Sequence, residues 1–158
     1  RITAEQFSDM VGAIIDPIFP DSIMKFKPKY SPSFVPPGGY FARAAFVANN
    51  SFLIALGRPN RENVTTGRET QANLLQALEL TNGERFNAML KRGATKWQSR
   101  YPDGDSMLSA FYSLSLGRKP NSKEKAVAMK ILGNAPSPED IQDFFWAALL
   151  LPEIQIID

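Results

Sequence analysis

The sequence predicts an all-α fold: an orthogonal multi-helix domain of about seven helices and one long proline-rich strap, with little or no β-structure. Apolar residues recur at helical spacing through most of the chain, which is typical of amphipathic helices. Capping residues and glycines punctuate these segments, while half of the twelve prolines fall within residues 16–39. With 158 residues and 44% hydrophobic content, residues 1–158 are expected to form one domain with its own core.

The first predicted helix runs from Thr3 to Ile15. Its apolar residues are spaced by three and four, Thr3 and Gln6 can form a capping box, and Asp16-Pro17 ends it. The proline density of residues 16–39 is incompatible with a long helix or a central strand. Because this strap is also rich in aromatic and aliphatic residues, we expect it to lie across the helices.

The next helices are predicted around an arginine-rich loop. Residues 42–47 and 51–56 form two short apolar segments, and Gly57 occupies the position that follows a helix C-terminus. After the loop, Thr70 is a plausible N-cap for a helix that continues to Leu80.

Four further helices are predicted in the second half of the chain, each from a capping residue followed by apolar residues at helical spacing. The predicted start signals are Thr81 with Glu84, Asp105, Asn121 with Glu124, and Ser137 with Pro138. Gly117, Gly133 and Pro152 end the last three. The short tail beyond Pro152 contains isoleucines, so we expect it to dock back on the body.

The composition excludes several kinds of site. The chain has no cysteine and no histidine, so it cannot build a Ser-His-Asp triad, a zinc site on His or Cys, or a covalent c-type haem attachment. No cofactor, metal ligand or catalytic residue is therefore assigned to this chain. A net charge of +2 does not favour nucleic-acid binding, and no apolar run reaches the roughly 18 residues of a membrane span.

The candidate binding site is the polar loop of residues 57–70. Guanidinium groups and free helix N–H groups suit carboxylates, sulfates and phosphates, so the loop is a candidate anion or acidic-glycan site. The proposed anion-binding residues are Arg58, Arg61, Thr65, Thr66, Arg68 and Thr70. The alternative is that the arginines only clamp the loop, pairing with its own Glu62 and Glu69 and with helix-end carbonyls.

A second functional hypothesis is a carboxylate-dependent hydrolase acting on polysaccharide. Two flanking acids can cleave a glycosidic bond without histidine or cysteine. The candidate pairs are Glu62 with Glu69 in the loop, and Asp16 with Asp21 beside the strap. Each of these acids also has a structural interpretation as an arginine partner, a helix stop or a turn former.

One local pattern occurs twice. Leu56-Gly57-Arg58 and Leu116-Gly117-Arg118 are each followed closely by a proline. Glycine suits the left-handed position after a helix, and the arginine complements the negative end of the helix dipole. The flanking residues do not match, so we interpret the pattern as the same capping solution used twice rather than as a duplication.

Several motifs together resemble the planctomycete-type cytochrome-c-associated C-terminal domain of unknown function. The resemblance spans about Phe41 to Ile157. It rests on Arg58-Pro59-Asn60-Arg61-Glu62, Arg68, Leu75-Gln76-Ala77-Leu78, Leu116-Gly117-Arg118 with Pro120 and Glu124, and Trp146-Ala147 with Pro152-Glu153.

The resemblance implies a setting rather than a reaction. Proteins of that family are typically large, exported and multidomain, with a c-type cytochrome-like domain ahead of this one and suspected roles in polysaccharide breakdown or envelope electron transfer. This chain would then be a C-terminal, non-enzymatic module located outside the cytoplasm or in the cell envelope. Its partners would be other domains of the same protein or an acidic glycan, and any haem would be held by another domain.

Overall fold

The computed structural model describes residues 2–19, 51–58 and 74–155, and 76% of these residues are helical. No β-strand occurs within those ranges, so the all-α prediction is confirmed. The helices are α1 (Ala4–Ile14), α2 (Ser51–Ala55), α3 (Leu74–Asn82), α4 (Glu84–Arg100), α5 (Gly104–Leu116), α6 (Ser122–Leu132), α7 (Pro138–Leu149) and α8 (Pro152–Gln155). Seven of these described helices have five residues or more, and α8 is a single turn.

The chain packs as two compact units, unit 1 (Arg1–Ala88) and unit 2 (Met89–Asp158). The boundary between the two units falls inside α4. Most of the predicted strap and the predicted helix at residues 42–47 lie outside the described residues. The described start of the strap ends at Ile18 and Phe19, both of which are buried.

The core of unit 1 is built on phenylalanines from α1, α2 and the start of α4. The rings of Phe52 and Phe86 stack with centroids 6.3 Å apart, and the ring of Phe7 lies 6.4 Å from that of Phe86. Phe19 contacts Phe52 edge-on at 6.1 Å. These offset and edge-on contacts are the favoured arrangements of aromatic rings, and they join α1, α2 and α4 within the unit.

The core of unit 2 is centred on Trp97 of α4. Its indole meets the rings of Phe111 from α5 and Phe145 from α7 edge-on, at 6.1 and 5.2 Å. The buried residues of α7 are Ile141, Phe144, Phe145, Ala148 and Leu149, which recur at helical spacing. Trp97 is therefore a core residue of unit 2.

A close backbone approach joins α5 to the end of α6. The Gly104 amide donates a hydrogen bond to the Asn134 carbonyl at 3.2 Å. A Cβ added at Gly104 would lie 2.1 Å from the Gly133 carbonyl oxygen, which leaves no room for a side chain. The start of α5 therefore meets the end of α6, and the two helices form an antiparallel pair.

Three predicted capping boxes or N-caps are confirmed. Thr3 with Gln6 and Asn121 with Glu124 form reciprocal boxes, and Ser137 caps α7 in a box with Asp140 while Pro138 is its first residue. Gly117 and Gly133 end α5 and α6 with positive φ angles of 65° and 61°. These signals act within a few residues, which is why the sequence reveals them.

Two predicted helix starts were wrong. The N-cap of α5 is Asp103, not Asp105: the Asp103 carboxylate accepts the Ser106 N–H at 2.8 Å, while Asp105 lies in the first turn and pairs with Lys125. Thr81 does not cap α4, because its hydroxyl donates back to the Ala77 carbonyl at 2.8 Å inside α3. That back-bonding is a common alternative for threonine.

Candidate functional site

Arg58, the first residue of the predicted anion site, follows the end of α2. Gly57 takes a positive φ of 92°, and the Arg58 amide then donates to the Leu53 carbonyl at 3.0 Å. This turn directs the guanidinium inward, where its Nε lies 3.4 Å from Oε1 of Glu5 in the first turn of α1. The side chains of Arg58 and Glu5 are only 3% and 8% exposed, so the pair belongs to the interior of unit 1.

The other five residues of the predicted anion site lie outside the described residues: Arg61, Thr65, Thr66, Arg68 and Thr70. So do Glu62 and Glu69, the acids named as their alternative partners. The buried position of Arg58 favours a clamping role for that one arginine, and anion binding by the loop stays a prediction.

The sequence did not reveal Glu5 as the partner of Arg58. The sequence contained one signal, because the small residues Ser8 and Gly12 follow Glu5 at helical spacing. In the structure all three are buried. A narrow stripe of small residues on a helix lets another element approach closely. An acid on such a stripe is a candidate partner for a buried cation.

The second Leu-Gly-Arg turn carries a different cluster. Arg118 donates from Nη1 and Nη2 to the two carboxylate oxygens of Glu124, at 2.9 and 2.7 Å. It also donates from Nε and Nη2 to those of Glu153, at 3.0 and 2.7 Å. Both edges of the planar guanidinium are thus engaged in two-pronged carboxylate contacts, the strongest geometry for this pairing. We call Arg118, Glu124 and Glu153 the Arg118 clamp.

The clamp joins the end of α5 to the starts of α6 and α8. Glu124 has a second role, because it also accepts the Asn121 N–H at 2.7 Å in the capping box of α6. The hydrogen bonds from Arg118 and then from Asn121 lower the pKa of Glu124 to about 2. The hydrogen bond from Arg118 likewise lowers the pKa of Glu153, and both carboxylates raise the pKa of Arg118.

The aromatic ring of Tyr112 underlies the clamp. The guanidinium carbon of Arg118 lies 5.3 Å from the ring centroid, within cation–π range. Burial, followed by the charge of Glu124, raises the pKa of the Tyr112 phenol. Carboxylates with lowered pKa values are held as ionised acceptors, whereas a general acid needs a raised pKa. The Arg118 clamp is therefore a structural ion-pair network that connects helices.

The structure describes only one of the four acids named as candidate hydrolase residues. Asp16, one acid of a candidate hydrolase pair, is buried, and its candidate partner Asp21 lies outside the described residues, as do Glu62 and Glu69. Among the residues that can be described, no three His, Cys, Asp or Glu side chains are grouped as a metal site. In the same part of the chain no helix has the length and hydropathy needed to cross a membrane.

Among the described residues of unit 1, the large apolar side chains that are exposed lie on α3. Leu74, Leu75 and Leu78 are 77%, 52% and 48% exposed, and their spacing places them side by side along the helix. The buried residues of α3 are Gln76 and Leu80. We call Leu74, Leu75 and Leu78 the leucine face of α3. The sequence indicated the helix but not that these leucines would point outward.

Residues 38–132 match the PSD1 family, which is described as "Protein of unknown function (DUF1553)". The chain belongs to this family. Comparisons with curated proteins and with solved structures give no match. The matched region contains α3, Arg58 and Arg118, whereas Glu5 and Glu153 lie on either side of it. Each arginine therefore holds a carboxylate from a helix that flanks the matched region.

Proposed function

We propose that this chain is a non-catalytic interaction module whose contact surface is the leucine face of α3. The single observation that supports the proposal is the exposure of three neighbouring leucines on one helix. Isolated exposed leucines are ordinary, but adjacent ones form a patch of the kind that marks protein contact sites. Burying such a side chain on association contributes about 1.5–3 kcal/mol.

The finer features of the proposal come from the family resemblance. In this proposal the module belongs to an exported, cytochrome-c-associated multidomain protein of the periplasm or cell envelope. Its partner is the c-type cytochrome domain of the same polypeptide, which would hold the haem. Arg61 and Arg68, in the loop before α3, would add an acidic or sulfated glycan as a second ligand. Sequencing the complete gene tests the setting, because a polypeptide without an export signal and a haem-attachment motif would contradict it.

The contact surface is tested with the double variant Leu74→Ser/Leu78→Ser. Affinity for the separately purified cytochrome domain should fall by roughly 100-fold, since each leucine contributes about 1.5 kcal/mol or more. Stability should stay within about 0.5 kcal/mol, because both side chains are exposed in the free chain. The matched control is Leu114→Ser, an exposed leucine of α5 in unit 2, which should leave affinity unchanged. Equal affinities for all three proteins would overturn the proposal.

The glycan feature has its own test. Binding of sulfated dextran to the chain is compared with binding to Arg61→Ala/Arg68→Ala, with Arg85→Ala/Arg100→Ala as a control of equal charge. Specific binding should be lost only in the first variant. An equal loss in both variants would show a general effect of net charge and would remove the proposed site.

A further inference from the structure

We propose that α8 is a reversible latch, docked on unit 2 by the Glu153–Arg118 pair and by Ile154, and open far more often than the helices that it covers. The latch is independent of the contact surface proposed on α3. It concerns only α8 and the α5, α6 and α7 residues that hold it.

The described residues of α8 make few contacts with the rest of unit 2. Of its four residues only Ile154 is buried, and the Gln155 side-chain amide donates to the Leu149 carbonyl at 3.0 Å. Glu153, which provides the ion pair, is itself 52% exposed. By contrast, α7 buries five apolar or aromatic side chains in the core of the unit. Elements with few buried contacts are the ones that open locally while the rest stays folded.

The receptor for Glu153 remains intact when α8 leaves. The Nη1/Nη2 edge of Arg118 stays bound to Glu124, which is fixed by the Asn121 N–H. The guanidinium also stays over the Tyr112 ring. Arg118 therefore does not become an isolated charge on opening, and its Nε edge is preformed for the return of Glu153. A preformed receptor makes the docking reversible.

Opening changes the surface of unit 2. Trp146, Leu150 and Leu151 are already partly exposed just before α8. Release of α8 adds to this region the side chain of Ile154, which is 4% exposed when α8 is docked. The latch thus controls how much apolar surface the C-terminal end of unit 2 offers to solvent or to another molecule.

Hydrogen exchange measured by mass spectrometry on the 158-residue chain tests the latch. The amides of Ile154 and Gln155, bonded to the Leu151 carbonyl, should exchange much faster than those in the middle of α7. Glu153→Gln should increase the opening of α8 by about two- to fivefold, the range of an exposed ion pair. Ile154→Ala should increase it at least about 30-fold, as for other large-to-small changes at buried sites. Neither variant should change exchange in α7.

The matched control is Glu139→Gln, the same chemical change at an exposed acid in the first turn of α7. It should leave α8 exchange unchanged. Raising the salt concentration should open the wild-type latch and have less effect on Glu153→Gln, because salt screens the exposed pair. The proposal is overturned if α8 and α7 exchange at the same rate, or if Glu153→Gln does not alter α8.

Discussion

The two Leu-Gly-Arg turns share a local design and differ in their surroundings. At both, a glycine with positive φ follows a helix and the next arginine binds an acid from the first turn of another helix. Arg58 does so in the interior of unit 1, with its side chain 3% exposed, whereas the side chain of Arg118 is 35% exposed. The same Leu-Gly-Arg sequence therefore carries a buried ion pair in unit 1 and a partly exposed ion-pair network in unit 2.

The difference teaches that a local motif does not fix the energetic role of its charge. A buried pair is costly to break because the remaining charge stays in a medium of low dielectric constant. An exposed pair has water and salt as substitutes. The comparison thus predicts unequal effects from equivalent substitutions.

The largest effect is expected at Arg58. Arg58→Ala should destabilise the chain by about 3–5 kcal/mol, because the Glu5 carboxylate is left in the interior without this cation. Urea denaturation followed by circular dichroism measures the change. Arg58→Met/Glu5→Leu should recover much of the loss, since apolar replacements of a buried pair are often tolerated. A loss below 1 kcal/mol for Arg58→Ala would remove the distinction between the two turns.

The next effect concerns the shared glycine. Gly117→Ala should cost about 1–2 kcal/mol, which is the penalty of a left-handed conformation for a residue with a Cβ. No atom lies within 4 Å of an added Cβ at Gly117, so the cost is conformational and not steric. Gly117→Asn should cost less, because asparagine tolerates this region. Equal unfolding midpoints for the Asn and Ala variants would contradict that explanation.

A smaller effect is expected at Arg118. Arg118→Met should lower the urea midpoint by less than Gly117→Ala does, because its ion pairs are exposed to solvent. The loss should shrink further in high salt, whereas the loss at Arg58 should not. Lys91→Ala, at an exposed position of α4, is the control for removing one positive charge. A salt-independent loss at Arg118 would show that the cluster behaves as a buried one.

The smallest effect is on the pH dependence of stability. The pKa of Glu124 is about 2 in the folded chain against an ordinary value of 4.5, and that of Glu153 is also lowered. Their stabilisation is therefore complete above pH 4.5 and is lost as the pH falls, for Glu124 down to about pH 2. Urea midpoints measured between pH 6 and 2 should fall less steeply for Arg118→Met than for the wild type. Parallel curves would contradict the assigned pKa shifts.

The helices were predictable where the signal is local. The capping residues Thr3, Asn121 and Ser137 act on backbone groups within three residues, so the sequence contains the whole interaction. The errors at Asp105 and Thr81 came from the same source. In each case two nearby arrangements were compatible with the sequence, and the hydrogen bonds observed are those of Asp103 with Ser106 and of Thr81 with Ala77.

The ion pairs were not predictable in the same way. Arg118 and Glu153 are 35 residues apart. Arg58 pairs with Glu5, which lies before the start of the matched family region. Such pairs depend on how the helices pack, and helix packing cannot be read from a short stretch of sequence. The sequence placed Arg58, Arg118, Glu124 and Glu153 among the motifs that carry the family resemblance, yet it could not show which of them are in contact.

The contact of Gly104 with the end of α6 has a consequence for the order of assembly. It closes a hairpin of two consecutive helices, and contacts between neighbouring segments cost little chain entropy to form. This hairpin can therefore form before contacts between more distant segments of unit 2. Glu153 meets Arg118 across 35 residues of chain, so we expect α8 to dock after the hairpin has formed.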